Sequence, residues 1–175
     1  SITTAVKADY ISAANLTADN VRNTLAAQQH AHALVLEVKP ASGILVYDSK
    51  TDFAQAYGTG GSLDLAALVQ EIKDGERDIY LVAELCCLND SAVPGRYPGV
   101  SLKKADGSNY TDDSGGWIDP YSTEYRKYIA DLSKELAGMG FDEICLNGIR
   151  HPVSDGAGFL YPGSSSPSST PVSAC

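Results

Sequence analysis

Polar side chains lie at three apolar, strand-like segments of the sequence, and their types could support chemistry. They are Glu37 and Lys39 at the first segment, Glu84 in the second, and Asn147, Arg150 and His151 at the third. In parallel α/β folds, ligands bind at the carboxyl ends of the strands. Two carboxyl groups roughly 5 to 10 Å apart can hydrolyse a sugar bond. The presence of Glu37 and Glu84 therefore predicts glycoside hydrolysis. The alternative is that Glu37, Lys39 and Glu84 form a structural ion-pair network, because such networks also perturb pKa values.

The elements that must position these residues alternate between strands and helices along residues 5–150. Strands are predicted over 5–14, 31–38, 78–88 and 141–152. Helices are predicted after the capping residues Thr17 and Ser62, and from Ser122 or Thr123. Residues 43–48 are predicted to form a loop or a β extension. The continuous hydrophobicity of residues 78–88 favours a parallel sheet covered on both faces. The sequence therefore predicts an α/β fold with at least four parallel strands and three helices packed outside them.

A long segment, residues 89–121, follows the third predicted strand and is rich in Pro, Gly, Asp and Ser. It is too long for a simple connection, which is typical of a functional loop. Its single tryptophan, Trp117, either stacks on a sugar ring or packs the loop onto the sheet. We expect this loop to overhang one mouth, where the polar residues gather and where Asn147 and Arg150 hydrogen-bond sugar hydroxyls.

The acidic composition argues against several classes of function. The chain has 22 acidic and 13 basic side chains and a net charge of −9, so neither nucleic acid nor a membrane surface is expected as a partner. No apolar run approaches the roughly 20 residues needed to span a bilayer. The first residues do not read as a signal peptide, which we expect to be absent or already removed.

The sequence predicts no metal and no cofactor. His30 and His32 lack a third ligand at metal spacing, and residues 106–113 lack the spacing of an EF-hand loop. No phosphate-binding loop and no nucleophile elbow is visible. The four cysteines fit neither a disulfide framework nor a C-x-x-C motif and are predicted to be core thiols: Cys86, Cys87, Cys145 and Cys175.

Four segments in order resemble motifs of the putative glycosyl hydrolase domain family, a bacterial family related to amylase-like TIM barrels. They are HALVLEVKPASGILVYDS, DIYLVAELCCLND, GGWIDPYSTEYRKYIADLSKEL and GFDEICLNGIRHPVSDG. The resemblance covers roughly residues 5–162. It implies a (β/α) TIM-barrel-like fold, carbohydrate as the substrate or ligand, and an extracytoplasmic or secreted location.

Two departures from the family pattern concern the chemistry. Asn147 stands where the family usually has an Asp similar to the nucleophile of amylase-like barrels, and an amide cannot act as a carboxylate nucleophile. Glu84 stands where the family usually has Arg. The resemblance thus implies a glycoside-hydrolase-like domain that acts on or binds carbohydrate, or alternatively a non-catalytic carbohydrate-binding or structural barrel module that oligomerises. Its predicted catalytic positions are Glu84 and Asn147, and its predicted substrate-binding residues are Glu37, Lys39, Trp117, Arg150 and His151.

The predicted domain is residues 1–155, which hold about four βα units, the first half of a barrel. Residues 156–175 are rich in Gly, Ser and Pro and predict a linker-like tail. A complete barrel has eight strands and about 250 residues. We therefore expect either a fragment or a half barrel whose open edges are covered by a second copy of the chain or by the remainder of the barrel.

Overall fold

This computed structural model describes residues 8–149 and 158–162 of the chain. In that part, the strands are β1 (Ala8–Ile11), β2 (Ala33–Lys39), β3 (Tyr80–Cys86), β4 (Lys103–Lys104), β5 (Thr111–Asp112), β6 (Gly115–Gly116), β7 (Glu143–Asn147) and β8 (Phe159–Leu160). The α-helices are α1 (Ala18–Ala27), α2 (Asp52–Tyr57), α3 (Leu65–Asp74), α4 (Val93–Arg96) and α5 (Thr123–Met139).

The main sheet contains four parallel strands in the order β1-β2-β3-β7. Helix α1 connects β1 to β2, helices α2 and α3 lie between β2 and β3, and α4 and α5 lie between β3 and β7. The prediction of a mixed α/β fold with at least four parallel strands is confirmed. Closure into an eight-stranded barrel stays a prediction, because no strand among the described residues pairs with the outer edge of β1 or of β7.

Side-chain caps fix the starts of the three long helices. The hydroxyl of Thr17 accepts a hydrogen bond from the backbone N–H of Asn20 at the start of α1, and Ser122 does the same for Tyr125 at the start of α5. Helix α3 is capped by Asp64, whose carboxylate accepts from the N–H of Ala67, and not by the predicted Ser62.

The hydrophobic core lies on one face of the sheet. Alternate strand residues on this face are fully buried: Leu34, Leu36 and Val38 in β2, and Leu81, Ala83 and Leu85 in β3. They share one hydrophobic cluster with the buried faces of α3 and α5. Since successive side chains of a strand point to opposite faces, the intervening residues lie on the other side of the sheet, which we call the inner face.

The long segment after β3 is well structured. Helix α4 and the short strands β4, β5 and β6 all lie within it, and Trp117 forms a β-bridge with Asn89. Strand β8 pairs antiparallel with β4, and the ring of Phe159 contacts that of Tyr110 at 4.9 Å. Residues 158–162 therefore pack against the domain, although they fall within the predicted linker-like tail. The rest of that tail, apart from these five residues, lies outside the described residues.

Residues 43–48 form no strand of their own, and Tyr47 makes a single bridge to Leu63. No helix in the described part of the chain is long and apolar enough to cross a membrane.

Candidate active site

Two carboxylates meet on the inner face at one tyrosine hydroxyl. The hydroxyl of Tyr10 lies 3.1 Å from Glu37 Oε2 and 2.8 Å from Glu84 Oε1. These two carboxylate oxygens are therefore at most about 6 Å apart, close enough for one hydroxyl to lie between them. We refer to Tyr10, Glu37 and Glu84 as the carboxylate site.

The register of the sheet places these three side chains together. Glu37 in β2 lies beside Glu84 in β3, and Tyr10 in β1 lies beside Val35, two residues before Glu37. All three lie towards the carboxyl ends of their strands. Glu37 and Glu84 are half-buried, while Tyr10 is 53% exposed. The prediction that Glu37 and Glu84 share one face agrees with this placement, because residues paired in register point to the same side of a sheet.

The two carboxylates change the acidity of Tyr10. Partial burial, together with the hydrogen bonds to Glu84 and Glu37, raises the pKa of the Tyr10 phenol well above its usual value. The hydroxyl therefore stays protonated and remains a hydrogen-bond donor across the physiological pH range.

Lys39 does not lie in this site. An irregularity in the β2–β3 register falls between Glu37 and Lys39, and the Lys39 side chain is fully buried. Its ammonium donates to the Cys86 carbonyl oxygen at 2.7 Å and forms an ion pair with Asp90 at 3.3 Å. The predicted substrate-binding role of Lys39 is not consistent with this position, because a fully buried ammonium offers no contact to a ligand on the inner face.

Asp90 is a buried carboxylate that the sequence analysis missed. One oxygen accepts from the N–H groups of Ala92 and Val93, and the other accepts from the hydroxyl of Tyr125 at 2.8 Å. Burial and the Asp90 charge raise the pKa of Tyr125. Asp90 thus fixes the start of the long loop after β3 and pairs with Lys39. The ion-pair alternative holds for Lys39, with Asp90 as its partner instead of Glu37 or Glu84.

Asn147 ends β7 on the inner face. It pairs in register with Cys86 of β3, and both residues are half-buried. Burial raises the pKa of the Cys86 thiol. Gly148 follows in a left-handed conformation, where an added Cβ would lie 2.7 Å from Cys86 Sγ, so backbone and thiol are closely packed at this end of the strand. Asn147 lies two register positions beyond Glu84 towards the carboxyl end of the sheet.

The remaining predicted site residues are Trp117, Arg150 and His151. Trp117 is 8% exposed and belongs to the hydrophobic core, so it packs the loop onto the domain and presents no ring to a sugar. Arg150 and His151 lie outside the described residues. Of the cysteines, Cys87 is buried as predicted, whereas Cys86 and Cys145 occupy inner-face positions, and Cys175 is outside the described residues.

Tyr10 was also not predicted as a site residue. It lies in the predicted first strand, but nothing in its neighbourhood indicates that its hydroxyl reaches two carboxylates from other strands. The only available signal was its spacing, since Tyr10 and Ser12 alternate with the buried Ile11.

In the described part of the chain, no group of three or more His, Cys, Asp or Glu side chains could hold a metal ion.

Comparisons with known proteins agree with this fold. The sequence model of the "Putative glycosyl hydrolase domain" family matches residues 8–173. The crystal structure of a hypothetical protein from Ruminiclostridium thermocellum ATCC 27405 aligns with a TM-score of 0.75 at 22% identity, over 82% of this chain and 77% of that chain. The GH20 β-N-acetylhexosaminidase from Streptomyces coelicolor A3(2) aligns with a TM-score of 0.57 at 17% identity, over 81% of this chain and 32% of that enzyme. At these identities the two structures establish the similarity of fold alone, and no curated protein sequence matches the chain significantly.

Proposed function

The chain belongs to the putative glycosyl hydrolase domain family, and from this premise we propose that its carboxylate site binds a glycan. The observation that carries the proposal is the convergence of Glu37 and Glu84 on the hydroxyl of Tyr10. Partly exposed carboxylates can accept hydrogen bonds from sugar hydroxyls. Carboxyl groups are also the groups that glycoside hydrolases use for proton transfer.

The proposed activity is binding without nucleophilic catalysis. The family resemblance puts a nucleophilic Asp at position 147, and Asn147 carries an amide there. An amide can hydrogen-bond a hydroxyl but cannot attack a sugar carbon to form a covalent glycosyl intermediate. Glu37 and Glu84 are the remaining candidates for proton transfer, and Asn147, Arg150 and His151 remain proposed contacts to sugar hydroxyls.

Charge indicates which glycans fit. Glu37 and Glu84 are neighbours on the inner face, and Glu143 lies on the same face two register positions nearer the amino ends of the strands. The ammonium of Lys39 is buried in its pair with Asp90. Among the described residues, the carboxylate site is therefore acidic, which favours a neutral glycan and disfavours a polyuronate.

A binding assay tests the proposal. Isothermal titration with neutral hexasaccharides of the cello, malto, xylo and chito series, and with hexagalacturonate as the acidic comparison, should find at least one neutral ligand. Glu84→Gln should weaken its binding about tenfold, the typical value of a lost charge-assisted hydrogen bond. Glu143→Gln is the matched control and should leave binding unchanged. Equal losses in both variants, or the absence of any neutral ligand, would contradict the proposal.

A second variant separates binding from catalysis. The wild type should bind the glycan without hydrolysing it, whereas Asn147→Asp restores the carboxylate of the family pattern. Release of reducing sugar by Asn147→Asp, and not by the wild type, would indicate a hydrolase site that lacks only its nucleophile. No release by either protein would favour the non-catalytic carbohydrate-binding module.

A further inference from the structure

We propose that Tyr10 is a positioning residue, which holds Glu37 and Glu84 in the one arrangement that a glycan hydroxyl can bridge. This inference rests on the proposed function and adds a residue to the same site. Tyr10 acts through the two carboxylates, since its hydroxyl contacts both of them.

The pairing of β2 with β3 brings two like charges together, which disfavours this arrangement. Glu37 and Glu84 are paired in register on neighbouring parallel strands, and neighbouring strands are about 4.8 Å apart. Like charges directly opposite each other on adjacent strands repel. Without a donor between them, the two carboxylates would turn away from each other into solvent. The Tyr10 hydroxyl offsets that repulsion because it lies within hydrogen-bond distance of both.

The two carboxylates depend on Tyr10 to different degrees. Glu37 has a second anchor, because its Oε1 accepts from the backbone N–H of Ala13 at 2.9 Å. For Glu84, the hydroxyl of Tyr10 is the hydrogen-bond partner found in the described part of the chain. Removal of this hydroxyl should therefore release Glu84 and leave Glu37 largely in place.

The carboxylate site has more hydrogen-bond acceptors than the protein has donors to serve them. A tyrosine hydroxyl carries one hydrogen and can donate to one carboxylate at a time. Three carboxylate oxygens of the site are thus served by two protein hydrogens, one from Tyr10 and one from the Ala13 N–H. A sugar hydroxyl placed on the inner face supplies the missing hydrogen, so the site is poised for a hydroxyl donor.

The test compares two tyrosines of the same face. Tyr80 is also exposed, at 47%, and its hydroxyl donates to Glu143 at 3.1 Å. Tyr10→Phe removes a hydroxyl that contacts two carboxylates, whereas Tyr80→Phe removes a hydroxyl that contacts one. The side-chain carboxyl signals of Glu37, Glu84 and Glu143 are followed by ¹³C NMR in the ligand-free protein at pH 7, and binding of the neutral hexasaccharide is measured by titration.

In Tyr10→Phe, we expect the Glu84 carboxyl signal to move more than that of Glu37, and glycan binding to weaken about tenfold. In Tyr80→Phe, the Glu143 signal alone should move and binding should stay unchanged. An unmoved Glu84 signal in Tyr10→Phe, or unchanged glycan binding in that variant, would overturn the inference. Absence of glycan binding by the wild type refutes the proposed function instead, and the ligand-free signals of Glu84 and Glu37 still decide whether Tyr10 positions them.

Discussion

At the scale of single residues, Lys39 and Asp90 form a buried ion pair outside the carboxylate site. Both side chains are fully buried, 3.3 Å apart. The Lys39 ammonium lies 5.5 Å from the centroid of the Tyr125 ring and donates to the Cys86 carbonyl oxygen. A buried charge is tolerated only when it is paired and hydrogen-bonded. The pair thus joins the end of β2 to the loop after β3.

We predict that Lys39→Met lowers the free energy of unfolding by about 3 to 5 kcal/mol, because it leaves the Asp90 carboxylate buried without its cation. Lys50→Met is the matched control. Lys50 pairs with Asp48 at the surface, where the two side chains are 74% and 60% exposed, so the loss there should be much smaller. Urea unfolding measures both, and similar losses in the two variants would show that the buried pair has no special role.

The candidate site was predictable from the sequence only in part. The positions of Glu37 and Glu84 in the predicted parallel strands were enough to bring the two carboxylates to one mouth. The same reasoning placed Lys39 beside them, and the register irregularity after Glu37 made this wrong. That irregularity accompanies the pairing of Lys39 with Asp90, a contact between distant segments that strand periodicity does not encode. Two roles were predicted for Trp117, stacking on a sugar ring or packing the loop onto the sheet. Its position in the hydrophobic core agrees with the second.

At the scale of elements, Asp142 connects three of them. It directly precedes β7, its carboxylate forms an ion pair with Lys73 of α3, and the same oxygen accepts from the N–H of Leu81 in β3 at 2.8 Å. The hydrogen bond from Lys73, with a further contribution from the Leu81 N–H, lowers the pKa of Asp142 below its usual value, although partial burial opposes this.

The lowered pKa predicts how stability depends on pH. A carboxyl group with a lower pKa in the folded than in the unfolded protein stabilises the fold above its unfolded pKa, about 3.9. That contribution is lost as the pH falls through the folded pKa. The wild type should therefore be more stable than Asp142→Asn at pH 7, and the difference should shrink below about pH 4.

Urea unfolding between pH 7 and pH 3 checks this, with Asp113→Asn at an exposed position as the control. A difference between wild type and Asp142→Asn that stays constant down to pH 3 would contradict the assignment of the pKa shift to the Lys73 contact.

Long elements with a clear period were predictable, and short ones were not. The buried stripe of α5, with Tyr125, Ile129, Leu132 and Leu136, follows the expected spacing. Helix α2 has only six residues, too few to establish a helical period, and it was missed. Strand β8 has two residues and depends on pairing with β4, so local sequence did not reveal it.

At the scale of the whole molecule, the main sheet has an open edge at β1 and another at β7 in the described part of the chain. Unpaired strand edges invite pairing with another strand. The inner face adds exposed aromatic surface, with Tyr10 and Tyr80 both about half exposed. We propose that further parallel strands cover these edges, either from a second copy of the chain or from a longer chain that continues the barrel.

The 175-residue polypeptide expressed by itself should therefore self-associate. Two copies related by a twofold axis along the barrel would pair β7 of each with β1 of the other in parallel, and such closed symmetry is the commonest for homo-oligomers. Sedimentation velocity at several protein concentrations should give a mass of at least twice 18.4 kDa. A single species of 18.4 kDa at all concentrations would contradict the prediction.

Chemical-shift mapping by NMR can locate the glycan on the protein and so decides whether it binds at the carboxylate site. The neutral hexasaccharide with the highest affinity is titrated into the isotope-labelled wild-type protein, and the perturbed backbone and side-chain signals are placed on the structure. We expect the largest changes on the inner face, at Tyr10, Glu37, Glu84, Cys86 and Asn147. Perturbations confined to the helices α1, α3 and α5, on the opposite side of the sheet, would contradict it.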